Sequence, residues 1–128
     1  MDARRLKEKA LQHFQKGKFA KAAEVWAEVC KADPKDMGSR LRLGDALSKA
    51  GQGDAAFDAY KEAMDGFAKQ GFLPQAIAAA KLALALRPND FELEQIMLGF
   101  SAERLGRSSL GPGPSQVGLP LVDGAPGG

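Results

Sequence analysis

Gly17, Ala22, Trp26 and Val29 recur 34 residues later, without a gap, as Gly51, Ala56, Tyr60 and Ala63. A fixed period of this length, with small residues and aromatics in register, specifies a helix hairpin that stacks on copies of itself. A single hairpin of this kind cannot bury its apolar face alone, so the repeat constrains the whole chain to an open array in which each unit touches its neighbours. Apolar spacing predicts six helices, at about 2–16, 19–32, 37–50, 54–70, 73–86 and 90–106.

Turn chemistry supports these limits. Gly17 and Gly51 are placed to end the first helix of each unit, where a left-handed cap favours glycine. Pro34 stops the second helix, with Asp33 and Asp36 around it as capping and solvated groups. Pro74 suits an early helical position. Asp54 and Asp90 read as N-caps. Alanine or glycine at 10, 22, 44 and 56 lets paired helices approach closely, and Trp26 and Tyr60 are expected to fill the space toward the neighbouring unit. The third unit breaks the period. Gly71, Ala76, Ala80, Ala83 and Pro88 keep the spacing of Gly17, Ala22, Trp26, Val29 and Pro34, but at an offset of 54 instead of 68. A stretch equal to one short helix is missing, so the fourth helix must close the second unit and also lead into the third turn.

Ala22-x3-Trp26, Ala56-x3-Tyr60, Leu43-Gly44 and Pro34 resemble the tetratricopeptide repeat (TPR), whose pattern includes L-G, A-x3-F and P. The first unit carries Lys9-Ala10 where the pattern has L-G. The resemblance covers roughly residues 3 to 106 and is degenerate after the second unit. It implies an all-α, TPR-like α-solenoid of about six antiparallel helices. The run from Gly71 through Ala78, followed by a Gly/Pro-rich stretch, looks like N-terminal TPR modules of bacterial multidomain regulatory proteins, which implies a role in signalling or complex assembly. Leu6-Lys7-Glu8-Lys9 resembles the start of the TPR subtype that clamps chaperone carboxylates. The asparagines that subtype needs are absent at Leu11 and near Arg42, which argues against that ligand.

The division expected is a helical repeat domain over 1–106 and a flexible, disordered Gly/Pro-rich tail or linker over 107–128. Within the tail, Val117, Leu119, Leu121 and Val122 form a short apolar patch around Pro120, read either as linker or as a docking motif. A formal charge of +2 does not point to nucleic acid. The most apolar run, Ala76 to Leu86, is short and interrupted by Lys81, so no membrane insertion is expected. A single cysteine, Cys30, excludes an internal disulfide framework. The N-terminal residues lack a signal-peptide pattern, which predicts a cytoplasmic location.

Nothing in the chain points to catalysis, a metal or a cofactor. His13 has no partner nucleophile and reads as a surface residue, and Cys30 as a packing residue. The remaining candidate is a groove. By the TPR pattern, the first helix of each unit lines the concave face. Arg4, Lys7, Leu11 and Phe14 should then lie beside Leu41, Arg42, Asp45, Ser48 and Lys49. Helix one carries five basic residues against Asp2 and Glu8. That pattern fits an ordinary solvated face, or a mixed basic and apolar groove for an acidic peptide or helical segment of another protein. The shortened third unit suggests that Leu93, Ile96 and Phe100 either cap the array on helix five or face a partner. The functional expectation is a non-enzymatic adaptor or scaffold, with a self-associating module through the last helix or tail as the alternative.

Overall fold

A computed structural model describes residues 2–109, and the side chains of 2–106. Its six helices are α1 (Ala3–Gln15), α2 (Phe19–Ala32), α3 (Met37–Lys49), α4 (Gly53–Lys69), α5 (Leu73–Leu86) and α6 (Phe91–Ser109). Each packs chiefly on the helix before it and the helix after it. The described residues therefore form an all-α, TPR-like solenoid. The apolar patch around Pro120 and most of the expected tail lie outside the described residues.

Two kinds of turn alternate, and they sort the helices. Gly17, Gly51 and Gly71 have φ of 77°, 81° and 83°, which only glycine adopts without strain. Beyond each glycine the next amide donates back to a helix carbonyl: Lys18 to His13 at 2.8 Å, Gln52 to Leu47 at 2.9 Å and Phe72 to Phe67 at 2.9 Å. This is one Schellman cap built three times. It launches α2, α4 and α5, none of which has a side-chain N-cap. The other three helices start on an aspartate. Asp2, Asp36 and Asp90 accept from the amides of Arg5, Ser39 and Leu93 at 2.9, 3.0 and 2.9 Å. Such caps satisfy an otherwise orphaned amide.

Aspartate-capped helices are α1, α3 and α6; glycine-launched helices are α2, α4 and α5. The regular alternation fails between α4 and α5, where an aspartate-capped helix would belong. The fourth helix does serve two units, packing on α3 on one side and α5 on the other. The expected cap at Asp54 is absent. The N-cap of α4 is Gln52, and Asp54 lies in the first turn, where it pairs with Arg87 at 3.1 Å. The Arg87 guanidinium also sits 3.8 Å from the Phe57 ring centre, so it ties the end of α5 to the start of α4. Helix α6 runs past its expected end at Gly106, because that glycine does not adopt the left-handed conformation that stops a helix.

The core lies between helices in two clusters. The first joins Leu6 and Ala10 of α1, Ala22, Trp26 and Val29 of α2, and Ala46 of α3. The second gathers Phe57, Tyr60 and Met64 of α4, a stripe of alanines on α5 and Leu93 of α6. Leu47 packs against both, which makes the array continuous. Ala10, Ala22 and Ala56 are fully buried, as close helix approach requires. Gly44 is needed for a specific contact: a Cβ there would stand 2.6 Å from the Tyr60 ring. Tyr60 thus turns onto its own hairpin partner instead of only filling space toward the next unit.

Candidate functional site

Leu11 and Phe14 project from α1, Arg42 and Asp45 from α3, and the four meet around Trp26 in one small cleft of about 30 Å³. They meet because the Gly17 turn reverses the chain and α2 brings Trp26 beneath both flanking helices. Phe14 is braced by Phe19 just beyond that turn, with the rings edge to face and 5.0 Å apart. Leu11 remains 45% exposed. Arg42 lies 3.8 Å from Asp45, yet its side chain is 63% exposed, so the guanidinium stays open to solvent. A cavity of this size holds little more than a water molecule. A ligand side chain must therefore lie across Leu11 and Phe14 rather than plug a pocket.

Asp45 is oriented from below. The Tyr60 hydroxyl donates to its carboxylate at 2.6 Å. Burial and that carboxylate together drive the Tyr60 phenol far above its ordinary pKa, so it stays a neutral donor and Asp45 keeps a fixed position beside Arg42. Tyr60 is a contributor that the expected set omits. Its signal is the phenol itself, since a buried tyrosine usually finds a partner for its hydroxyl. Trp26 is the other omission, because an apolar side chain at helical spacing reads as core.

The remaining expected residues take other places. Lys7 reaches across from α1 to the N-cap of α3, where its ammonium lies 2.8 Å from Asp36. Its hydrogen bond to Asp36 raises its pKa above the usual lysine value. Lys7 is thus an inter-unit tie with part of its charge already used. Leu41 packs against the second core cluster. Arg4, Ser48 and Lys49 do not line the cleft. On α6, Leu93 is only 2% exposed, so it cannot meet a partner. The Asp90 cap turns it inward against α4 and α5, and Phe100 packs on the same cluster. Of the three, only Ile96 is exposed.

Asp36 yields a pH prediction. Burial opposes its ionisation, but hydrogen bonds from Lys7 and Ser39 outweigh that and hold its carboxyl below the usual carboxylate range. A depressed folded pKa means the unfolded chain binds the proton first as pH falls. The stabilisation is complete above the ordinary carboxylate value and disappears as pH drops through the folded one. Asp36→Asn keeps a capping side chain but removes the charge. It is expected to lower stability by about 1 kcal/mol near neutral pH. The gap between variant and wild type should close between about pH 5 and pH 2. Thermal melts across that range check this, and a gap independent of pH would refute it.

A larger groove of about 610 Å³ lies on α3 and α4, lined in part by Pro34, Met37, Arg40, Glu62, Asp65 and Lys69. Its central charges neutralise each other, with Arg40 and Glu62 at 2.8 Å. Met37 fills the space left by Gly66, which has no side chain to oppose it. Volume alone favours this groove, but Met37, the large apolar side chain in its lining, is buried. His13 is held below its ordinary pKa by burial and by Lys21, Lys9, Lys18 and Lys16, and burial raises the Cys30 thiol. Among the described residues no group of histidine, cysteine, aspartate and glutamate could hold a metal ion. No helix among them is long and apolar enough to cross a membrane.

No family model matches the sequence, and no curated protein matches it. Solved structures do. The first TPR of Spaghetti (RPAP3), bound to an HSP90 peptide, is 21% identical; the match covers 80% of this chain and 93% of that one, with a TM-score of 0.43. The type III secretion chaperone SycD of Yersinia enterocolitica, in complex with a peptide of the translocator YopD, is 24% identical over 82% of this chain and 91% of its own, at 0.45. The Sgt2 TPR domain of Aspergillus fumigatus is 13% identical over 97% and 92%, at 0.44.

Proposed function

We propose that this TPR-like solenoid is a non-enzymatic adaptor that holds a segment of a partner protein across the cleft between α1 and α3. The observation that carries this reading is the half-exposed Leu11 beside the open guanidinium of Arg42, both on a rigid aromatic base. An apolar side chain of the partner would lie over Leu11 and Phe14, and a carboxylate next to it would pair with Arg42. Arg4 adds positive charge along α1. The occupant is thus a short acidic and apolar segment, extended or helical. The adaptor would place that segment for another component of a signalling or assembly complex in the cytoplasm.

A random peptide library displayed on phage tests this without knowledge of the partner. Wild-type protein should enrich peptides that carry an apolar residue next to Asp or Glu. Leu11→Asp with Arg42→Glu should weaken the enriched peptides by at least about tenfold, the effect expected of a central contact. Enrichment that survives this double variant but is lost with Lys69→Glu would move the site to the larger groove.

A further inference from the structure

Five cations stand together where α1 meets the start of α2. Positions 5, 9, 13 and 16 follow spacings of four, four and three, so Arg5, Lys9, His13 and Lys16 form one row along α1 and its C-cap. The row is about 17 Å long. Lys18 and Lys21 flank it from the N-cap and first turn of α2. Burial and the fields of Lys21, Lys9, Lys18 and Lys16 hold the His13 imidazole below its ordinary pKa, so the four ammoniums converge in space. Arg5, Lys9, Lys16, Lys18 and Lys21 are exposed, and among the described residues none of the five is in an ion pair. The nearby acids lie off this face or are engaged. Asp2 accepts from the Arg5 amide at the end of the row. Glu8 lies about 100° round the helix from Lys9. Glu24 lines a cavity with Leu43 and Leu47, toward α3, and Glu28 follows Lys21 about 10 Å further along α2. The chain has 18 Lys and Arg residues against 16 Asp and Glu, so with five cations here the rest of it is net acidic.

We propose that this face docks on an anionic lipid surface, held there by charge and without insertion. A polar outer face on a terminal helix serves solubility, but interspersed charges of both signs do that as well. A field of one sign steers the approach of an oppositely charged partner. Shape and chemistry select a bilayer among such partners. A plane of headgroups meets the exposed row and leaves the net acidic remainder of the chain facing away. A nucleic acid is long, and it would run past the row against that remainder. An acidic peptide needs apolar contacts to fix its register, and this face supplies none. Leu11, the exposed large apolar side chain of α1, leaves the helix on the opposite side. The same lack of apolar side chains keeps the contact at the headgroups. Four of the five cations are lysines, point charges that suit diffuse headgroup phosphates more than bidentate recognition.

This surface is separate from the α1–α3 cleft, and its test is independent of peptide binding. The full chain is sedimented with vesicles of phosphatidylserine and phosphatidylcholine in equal parts, or of phosphatidylcholine alone. Each cation near an anionic surface contributes about fivefold in affinity, so five of them give half-saturation at about 0.1–1 mM accessible anionic lipid. Neutral vesicles should carry down no protein, and high salt should release it from the anionic ones. Lys9→Gln with Lys18→Gln should weaken binding about 25-fold, with unchanged circular dichroism. Lys31 and Lys81 are exposed elsewhere on the array. Lys31→Gln with Lys81→Gln removes the same charge and should change binding less than about threefold. No binding to anionic vesicles, equal binding to neutral ones, or an equal loss in the two double variants overturns the proposal. Retention on duplex DNA or polyglutamate beads that is lost with Lys9→Gln and Lys18→Gln, without vesicle binding, would assign the face to a soluble polyanion and exclude the membrane.

Discussion

Replacing Trp26 with alanine is expected to remove about 3–5 kcal/mol of folding stability. Trp26 is 4% exposed and lies in the cluster that joins α1, α2 and α3. Its removal leaves a cavity that Leu6, Ala10 and Ala46 are too constrained to fill, because those residues sit at close helix contacts. A domain of this size has about 5–15 kcal/mol in total, so the loss takes about a fifth of it or more. Urea unfolding followed by far-ultraviolet circular dichroism measures it, since Trp26 is the only tryptophan and its fluorescence goes with it. Trp26→Phe retains a ring and should cost less. A change below about 1 kcal/mol for the alanine variant would mean that the two halves of the array do not depend on this side chain.

The same residue marks how far the sequence could be read. Its period, its glycine partner at 17 and its small neighbours at 10 and 22 define the hairpin, because a Schellman turn and a close helix contact each admit few residue types. The doubled role of α4 follows from the shortened distance to Gly71 for the same reason. Local rules fail where two of them compete. Asp54 has the chemistry of an N-cap, but the glycine-launched turn already starts α4 at Gly53, and Arg87 takes the carboxylate. Gly106 has the chemistry of a stop, but the helix runs through it.

The candidate site is legible in part. Leu11, Phe14, Arg42 and Asp45 come together as the repeat pattern implies. Lys7 shows the limit of face assignment. It shares the face of Leu11, yet a carboxylate 29 residues away in sequence, Asp36, uses its charge. Pairings between helices depend on their exact rotation, which periodicity fixes only to within a residue or so. The outer stripe of α6 is hidden from the sequence for a related reason. Leu93, Ile96 and Phe100 share one helical spacing and Phe91, Leu98 and Leu105 share another, and only the docked orientation of α6 decides which stripe points inward.

That orientation rests largely on Leu93, which is nearly fully buried and the one such side chain among the described residues of α6. Leu93→Ala is expected to weaken the docking of α6 by about 2–5 kcal/mol. Contacts in the array are between neighbours, and α6 packs mainly on α5, so the loss should be local rather than shared. Amides of α6 should exchange about thirty-fold to several thousand-fold faster, the equivalent of that free energy. Amides of α1, α2 and α3 should keep their wild-type rates. Uniform acceleration along the chain would instead show that the array unfolds as one unit. A comparison with Leu98→Glu then separates fold from surface. Only Leu93→Ala should release the α6 amides, because Leu93 holds the helix in place while Leu98 lies exposed on its outer side.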